Sequence, residues 1–374
     1  MIGAGPSGLG AAALIERHGV PALVLERGEN VGTSWRGRYE GLRLNTPRVM
    51  STPPVHRMPR RLGRYPTRED FVAYLEEYVE RTVTPVRCGV EATRVDPAGD
   101  GWRVETSDGV IDADNVVVAS GYDRVPCIPD WPGRHGFSGE LLHASEFRSA
   151  DPYRGRDVLV VACGNTGSEL ATLLSRAGAL RVRVSMRTPP NLVARDLLGM
   201  PLTFTAAVLQ RFPPAVLDVS GRATQWVLFG DLRKLGIPRA PLGIQSTLIQ
   251  RRVAPLVDDG FVEEVKRGRI ELVGAVEGFD GADVLLAGGE RIQPDVVIAA
   301  TGYRRGLEPL VGHLGVLGEW GEPVASGAPV PGRPGLWFTG YTVRLSGQLH
   351  AAKADNRRIA RAIARSRRVA SAAA

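Results

Sequence analysis

Two glycine turns carry most of the chemistry this sequence could perform. Gly3-Ala4-Gly5-Pro6-Ser7-Gly8 opens a helical stretch at 9–17, and an apolar run at 21–25 follows, ending in Glu26 with Arg27 beside it. In a strand–turn–helix unit of this kind, Gly3 permits the tight turn and Gly5 lets the backbone approach a pyrophosphate. Gly8 lets helix and strand pack closely. The helix N-terminus then faces the phosphates with free N–H groups. Glu26 can accept hydrogen bonds from an adenosine ribose 2′-hydroxyl. Gly3, Gly5, Pro6, Ser7, Gly8, Glu26 and Arg27 are the candidate residues of this first dinucleotide site. A tight turn in an ordinary α/β core is the plainer alternative.

The second turn departs from the pattern. An apolar run at 158–162 ends in Ala162, which stands where the first glycine belongs, and Cys163-Gly164-Asn165-Thr166-Gly167 follows before a helix at 168–176. The close-approach and packing glycines are both present. The next strand, 182–186, leads to Arg187 instead of an acid. A carboxylate there would repel a 2′-phosphate, whereas a guanidinium fork binds one. Gly164, Asn165, Thr166, Gly167 and Arg187 therefore read as an NADP site, with Arg187 as a solvated strand end the alternative. Two dinucleotide sites in one chain suit FAD at the first and NADPH at the second, where an ordinary dehydrogenase needs only one.

Stepping outward, the elements that must hold these turns are a duplicated βαβ unit in a chain of 374 residues. A hydrophobic fraction of 43% with 23% charged residues is ordinary globular composition, enough for two domains with their own cores. Net charge is +7, and 44 of the 47 basic residues are arginine. No dense basic run with interleaved aromatics occurs, so no nucleic-acid partner is expected. Cys88, Cys127 and Cys163 lie far apart without a CxxC pair, and the six histidines show no metal spacing, so no metal site is expected. Residue 3 already begins a motif, with no signal peptide before it, and a cytoplasmic location is expected. The most apolar stretch, 197–217, is broken by Pro201, Gln210, Arg211, Pro213 and Pro214, whereas a spanning helix needs about 20 clean apolar residues. Core packing is the plainer reading of that stretch, and a hydrophobic substrate entrance the other. Thr67 caps a helix at 68–83, strands are expected at 86–95, 102–106 and 110–119, and strand patterns return at 270–273, 284–286 and 296–300. Residues 189–255 read as an insertion of short helices, and 347–365 as a terminal helix.

With these residues in place, the sequence resembles the class B flavoprotein monooxygenases, the flavin-containing monooxygenase group. Phe137-x-Gly139-x-x-x-His143-x-x-x-Phe147 matches the group's fingerprint between the two glycine turns, and Ala300-Thr301-Gly302-Tyr303 matches its ATGY motif. Ala119-Ser120-Gly121-Tyr122 is a weaker first copy. Gly32-x-x-Trp35-Arg36, Tyr39 and Leu42-x-Leu44-Asn45-Thr46-Pro47-Arg48 resemble the flavin loop. Gly230-Asp231-Leu232, Gly236-Ile237-Pro238 and Asp258-Asp259-Gly260 most resemble the plant auxin-biosynthetic (YUCCA) branch and its bacterial relatives. The resemblance spans residues 2 to about 365.

It implies an α/β fold of two Rossmann-like domains. The FAD domain would comprise 1–145 and 301–374, with an NADP domain of 146–300 inserted. It also implies reduction of FAD by NADPH, addition of O2 at flavin C4a, and transfer of one oxygen to a small organic substrate. That substrate is an amine or sulfur nucleophile, or a carbonyl such as a 2-oxo acid. Asn45 matches an active-site asparagine of the group, with a turn-forming role before Pro47 as the alternative. Trp35 and Arg36 would pack along the FAD, or else serve core and surface. His143 reads as a structural hinge. Gln348 and Leu349 open the last helix, whose positive end would face the flavin, and Gly340-Tyr341 replaces the Gly-Asp of related flavoproteins. A Rossmann turn normally follows a strand of about five residues. Only Met1-Ile2 precede Gly3, so the expectation is that this strand is absent, that the native start lies upstream, and that FAD binding is weakened. Two rival readings stay open: an NADPH-dependent reductase passing electrons to a partner, and an idle flavin-binding protein. Oligomeric state is open, with a homodimer among the options.

Overall fold

Runs of consecutive apolar residues become parallel strands, because a parallel strand is covered on both faces and has no polar side. The computed structural model describes residues 1–373, with side chains described through Arg367. The chain forms two units, Met1–Val125 with Tyr303–Ala374, and Pro126–Gly302.

In the first unit, Val86–Cys88 pairs in parallel with Val24–Glu26, and Leu336–Phe338 with Val116–Val118. Between these two pairs the position of a central strand is held by residues 1–3. Ile2 bridges both Leu25 and Val118, and hydrogen bonds run from the Ile2 N–H to the Val117 carbonyl (2.9 Å) and from the Gly3 N–H to the Leu25 carbonyl (2.7 Å). An antiparallel meander follows from Ala92–Ala98, Gly101–Thr106 and Gly109–Ala113. The expected single strand at 86–95 is interrupted at Gly89, whose φ of +75° turns the chain. The expected strand at 110–119 is also two: the alternating half joins the meander, and fully buried Val116–Val118 joins the parallel sheet.

The second unit is built on five parallel strands in the order Glu271–Val273, Arg181–Ser185, Asp157–Val161, Val296–Ala299, Glu140–His143. Its own meander is Val276–Asp280, Asp283–Leu286 and Arg291–Ile292. The first junction therefore falls at Val125/Pro126 rather than after 145, because Glu140–His143 completes this sheet. The segment 137–147 is a pillar of the same unit: Phe137 packs on Phe279 at 5.1 Å, and Phe147 stacks on Tyr153 at 5.4 Å.

The helix expected after Thr67 is capped as its sequence implies. Thr67 and Asp70 form a reciprocal capping box on Arg68–Thr82, which satisfies two otherwise orphaned N–H groups. The insertion holds helices Leu202–Leu209, Pro214–Phe229 and Ile244–Arg251, the middle one longer than expected. Core packing is not the role of 197–217: only Pro201 and Leu217 are buried there.

Ala162 closes the strand Asp157–Val161 with φ +86°, a backbone state that suits glycine. Such strain costs of order 1–3 kcal/mol, offset in part by the extra unfolded-state freedom of glycine. Ala162→Gly is expected to raise the stability of this unit by about 0.5–1 kcal/mol, read as a shift in the urea midpoint at unchanged slope.

Candidate functional site

The two turns are near copies of one geometry. Gly3 has φ +105°, and its structural equivalent Ala162 has φ +86°. A Cβ on Gly8 would lie 2.0 Å from the Gly3 carbonyl oxygen, and one on Gly167 would lie 1.9 Å from that of Ala162. Both are packing glycines, since each helix rests directly on its own turn. Gly5 and Gly164 differ in kind. Their φ values, −81° and −100°, suit any residue, and a Cβ on either meets nothing within 4 Å. The backbone before each helix N-terminus therefore looks onto open space, as a dinucleotide pyrophosphate requires.

The strand that follows each turn separates the two sites. In the first unit, Glu26 is buried, and its carboxylate accepts the Ala4 N–H (2.8 Å) and the Gly28 N–H (2.9 Å). Arg27 is exposed and lies 4.0 Å from Glu91. In the second unit, no carboxylate ends the strand Arg181–Ser185. Arg187 stands exposed just beyond it with no ionic or hydrogen-bonding partner among the described residues. The Asn165 amide is engaged by the protein, donating to the Pro255 carbonyl (3.1 Å) and accepting from the Val257 N–H (2.8 Å). It ties the turn to the start of the strand Leu256–Asp258. Thr166 is half-buried in the first helical turn. Burial pushes the Cys163 thiol up to about 12, so this turn offers no thiolate at neutral pH.

His143 is buried on the edge strand of the second unit. Its Nε2 donates to the Gly302 carbonyl (3.0 Å), and its Nδ1 accepts from the Ser145 N–H (3.0 Å). Both ring nitrogens are thus engaged by the protein, which suits a structural role.

In the first unit, Trp35 and Arg36 sit on the short helix Thr33–Arg36. Trp35 packs edge-on against Phe71 at 4.6 Å, and Arg36 pairs with Glu76 and donates to the Val31 carbonyl (3.0 Å). Both therefore take partners in the protein. Asn45 lies half-buried in the bend before the helix Arg48–Ser51. Its neighbour Thr46 is fixed by Ser51, hydroxyl to hydroxyl at 2.6 Å, and a Cβ on Gly347 would lie 2.5 Å from Thr46. Asn45 is thus held beside the start of the closing helix, Gln348–Ala373. Gln348 donates to the Gly340 carbonyl (2.7 Å), and Gly340 rests on the Ser7 side chain. Tyr341 does not replace the missing acid. Its ring is buried, its hydroxyl lies 3.0 Å from that of Ser120, and burial pushes its pKa up to about 12.

Pro6, Ser7, Pro53, Leu349, Lys353 and Asn356 line a shallow surface groove in this unit. Burial, with Arg357 and Arg57 nearby, lowers the Lys353 pKa. Close by in sequence, Ser346 Oγ and His350 Nδ1 are buried without a partner among the described residues. The chemistry of these groups, an ammonium, two orphaned polar atoms and helix N-termini, suits an anionic, hydrogen-bonding ligand such as a dinucleotide.

Sequence reading missed Asn356. Its Oδ1 accepts from the Thr339 hydroxyl (2.6 Å), and its Nδ2 donates to the Ser7 carbonyl (2.9 Å), joining the closing helix to the glycine turn. A signal existed: Asp355 and Asn356 interrupt the apolar face of Ala352, Ile359, Ala360 and Ile363, and a buried polar residue on such a face must have a partner. Asn356→Leu strands the Thr339 hydroxyl and frees the Ser7 carbonyl. It is expected to lower stability by about 2–3 kcal/mol, seen as an earlier thermal transition of the apoprotein.

A family profile described as pyridine nucleotide-disulphide oxidoreductase matches residues 1–196. Indole-3-pyruvate monooxygenase YUCCA1 of Oryza sativa subsp. japonica is 35% identical over 354 residues, covering 92% of this chain and 86% of the relative. Probable indole-3-pyruvate monooxygenase YUCCA8 of Arabidopsis thaliana is 32% identical, covering 91% and 83%. Among solved structures, the flavin-containing monooxygenase from Stenotrophomonas maltophilia superposes with a TM-score of 0.73 at 24% identity, covering 100% of this chain and 98% of that one.

Proposed function

This chain belongs to the flavin-dependent monooxygenases, enzymes that use FAD and NADPH, and from that premise we propose that it oxygenates a 2-oxo acid with an apolar side chain. The observation that carries the substrate class is the 35% identity, across 92% of the chain, to an enzyme named for indole-3-pyruvate. Bound FAD, reduced by NADPH, supplies the two-electron activation of O2 that sends one oxygen atom to the substrate and the other to water.

The remaining roles belong to the protein. In this reading the first unit holds FAD. Gly3, Gly5, Pro6, Ser7 and Gly8 present the turn to its pyrophosphate, and Lys353 adds a positive charge. Glu26 clamps the turn through the Ala4 and Gly28 N–H groups, and its remaining lone pairs take the ribose hydroxyls. Gln348 and Leu349 set the start of the closing helix, whose dipole favours the anionic reduced ring. The second unit would hold NADPH, with Gly164 facing the pyrophosphate, Gly167 letting the helix rest on its turn, and Arg187 on the 2′-phosphate. Asn45 is the catalytic candidate. A neutral amide offers a donor and an acceptor without being a proton source.

Oxygen attack at the ketone carbon of a 2-oxo acid breaks its bond to the carboxylate. One oxygen atom enters the product acid, CO2 leaves, and one NADPH and one proton are consumed with release of water. The test is turnover with NADPH, O2 and indole-3-pyruvate, following CO2 release and ¹⁸O₂ label in the product acid. Label in the acid with one CO2 per NADPH is the expected result. NADPH oxidation that yields only hydrogen peroxide, or reduction of an added acceptor without label, favours the reductase reading. Asn45→Asp is expected to keep FAD bound and to divert about tenfold more NADPH oxidation into hydrogen peroxide, measured as the ratio of peroxide to product acid.

A further inference from the structure

The insertion of the second unit presents a surface that its composition does not explain. On the helix Pro214–Phe229 the outward face should carry charge. Instead Val216, Val219, Ala223, Trp226 and Val227 occupy it at spacings of three and four, continuing from Phe212 just before the helix. Val219 and Trp226 are each 68% exposed and Val227 71%. The preceding segment adds Leu198, Met200, Phe204 and Val208, and the adjoining helix Ile244–Arg251 adds Ile249, all exposed.

Asp196 and Asp231 bound the stretch 197–230, Asp231 paired with Arg233 (2.8 Å), and the unpaired charges within the stretch are of one sign. Between residues 197 and 230 the only carboxylate is Asp218, and it points inward, accepting the N–H groups of Gln245 (2.7 Å) and Ser246 (3.2 Å). Arg211 precedes Phe212, Arg222 borders the stripe, and Arg251 ends the helix packed against it. None of the three guanidinium groups has an ionic or hydrogen-bonding partner among the described residues. An apolar face with an aromatic anchor and an unpaired arginine rim complements an anionic lipid surface. It does not complement itself, because a second copy would set arginine against arginine at the rim. No helix among the described residues is long and apolar enough to cross a membrane, so the face would lie in the headgroup region.

We infer that this helical insertion seats the protein on anionic phospholipid bilayers through the stripe from Phe212 to Val227. The inference does not depend on the substrate. The experiment is flotation of the FAD-loaded full chain with phosphatidylcholine vesicles, with and without phosphatidylserine. Expected is partition onto the phosphatidylserine vesicles that falls with salt, and falls at least about tenfold in Val219→Glu/Trp226→Glu. Both positions are exposed, and retained flavin and melting temperature report that the variant is folded. Should it fail to fold, Arg211→Glu/Arg222→Glu is expected to weaken binding to the charged vesicles alone. Absence of partition overturns the inference, as does equal binding by a folded variant. A dimer that Trp226→Glu splits, without vesicle binding, overturns it in favour of a second copy.

Discussion

Gly5→Val is expected to empty the first unit of FAD while leaving the apoprotein as stable as the parent. Gly5 has φ −81°, which valine tolerates, and its Cβ would meet no protein atom within 4 Å. The added side chain occupies only the space before the helix N-terminus. Affinity for FAD should fall at least about a hundredfold, roughly 2.7 kcal/mol, in a titration of apoprotein by flavin fluorescence. Gly8→Val is the contrast. Its Cβ would sit 2.0 Å from the Gly3 carbonyl oxygen and 3.2 Å from the Ala119 Cβ, so helix and turn must part. That overpacking should cost 3 kcal/mol or more, by order of magnitude, and lower the melting temperature of the apoprotein itself. The same pair exists in the second unit. Gly164→Val should raise the KM for NADPH with FAD retained, while Gly167→Val, 1.9 Å from the Ala162 carbonyl oxygen, should destabilise the fold. If Gly5→Val binds FAD normally, the first turn is not the cofactor cradle, however closely it copies one.

Arg187→Ala should convert an NADPH enzyme into one indifferent to the 2′-phosphate. Arg187 stands exposed beyond the strand Arg181–Ser185, without a partner among the described residues, so its removal breaks nothing else. A guanidinium on a phosphate makes charge-assisted, often bidentate hydrogen bonds, and losing them costs about 2–4 kcal/mol. The kcat/KM for NADPH is therefore expected to fall about 30- to 1,000-fold, with the value for NADH nearly unchanged. Equal loss with both nucleotides would mean that Arg187 acts on the fold or the pyrophosphate, and the 2′-phosphate assignment would fail. Arg187→Lys separates charge from geometry: a single ammonium should restore part of the preference, since it lacks the planar fork.

By itself the sequence determined what depends on neighbours in the chain. The glycine spacings, the capping box at Thr67 and the apolar strand runs are local, because turn geometry, helix caps and strand burial are set within a few residues. The acid after the first turn and the arginine after the second were legible for the same reason. Only the tertiary structure decided what depends on partners far along the chain. It split the expected strand at 110–119 between two sheets, and it moved the first domain junction to Val125 by giving Glu140–His143 to the second sheet. It distinguished Gly5 from Gly8, which the motif does not, because the difference lies in what a Cβ would meet across space. It turned the Asn165 amide onto a segment 90 residues away, and it made Asn356 the link to the first turn. It also turned the apolar insertion outward. Hydropathy alone cannot tell a stripe that meets the core from one that meets solvent, because both have the same period.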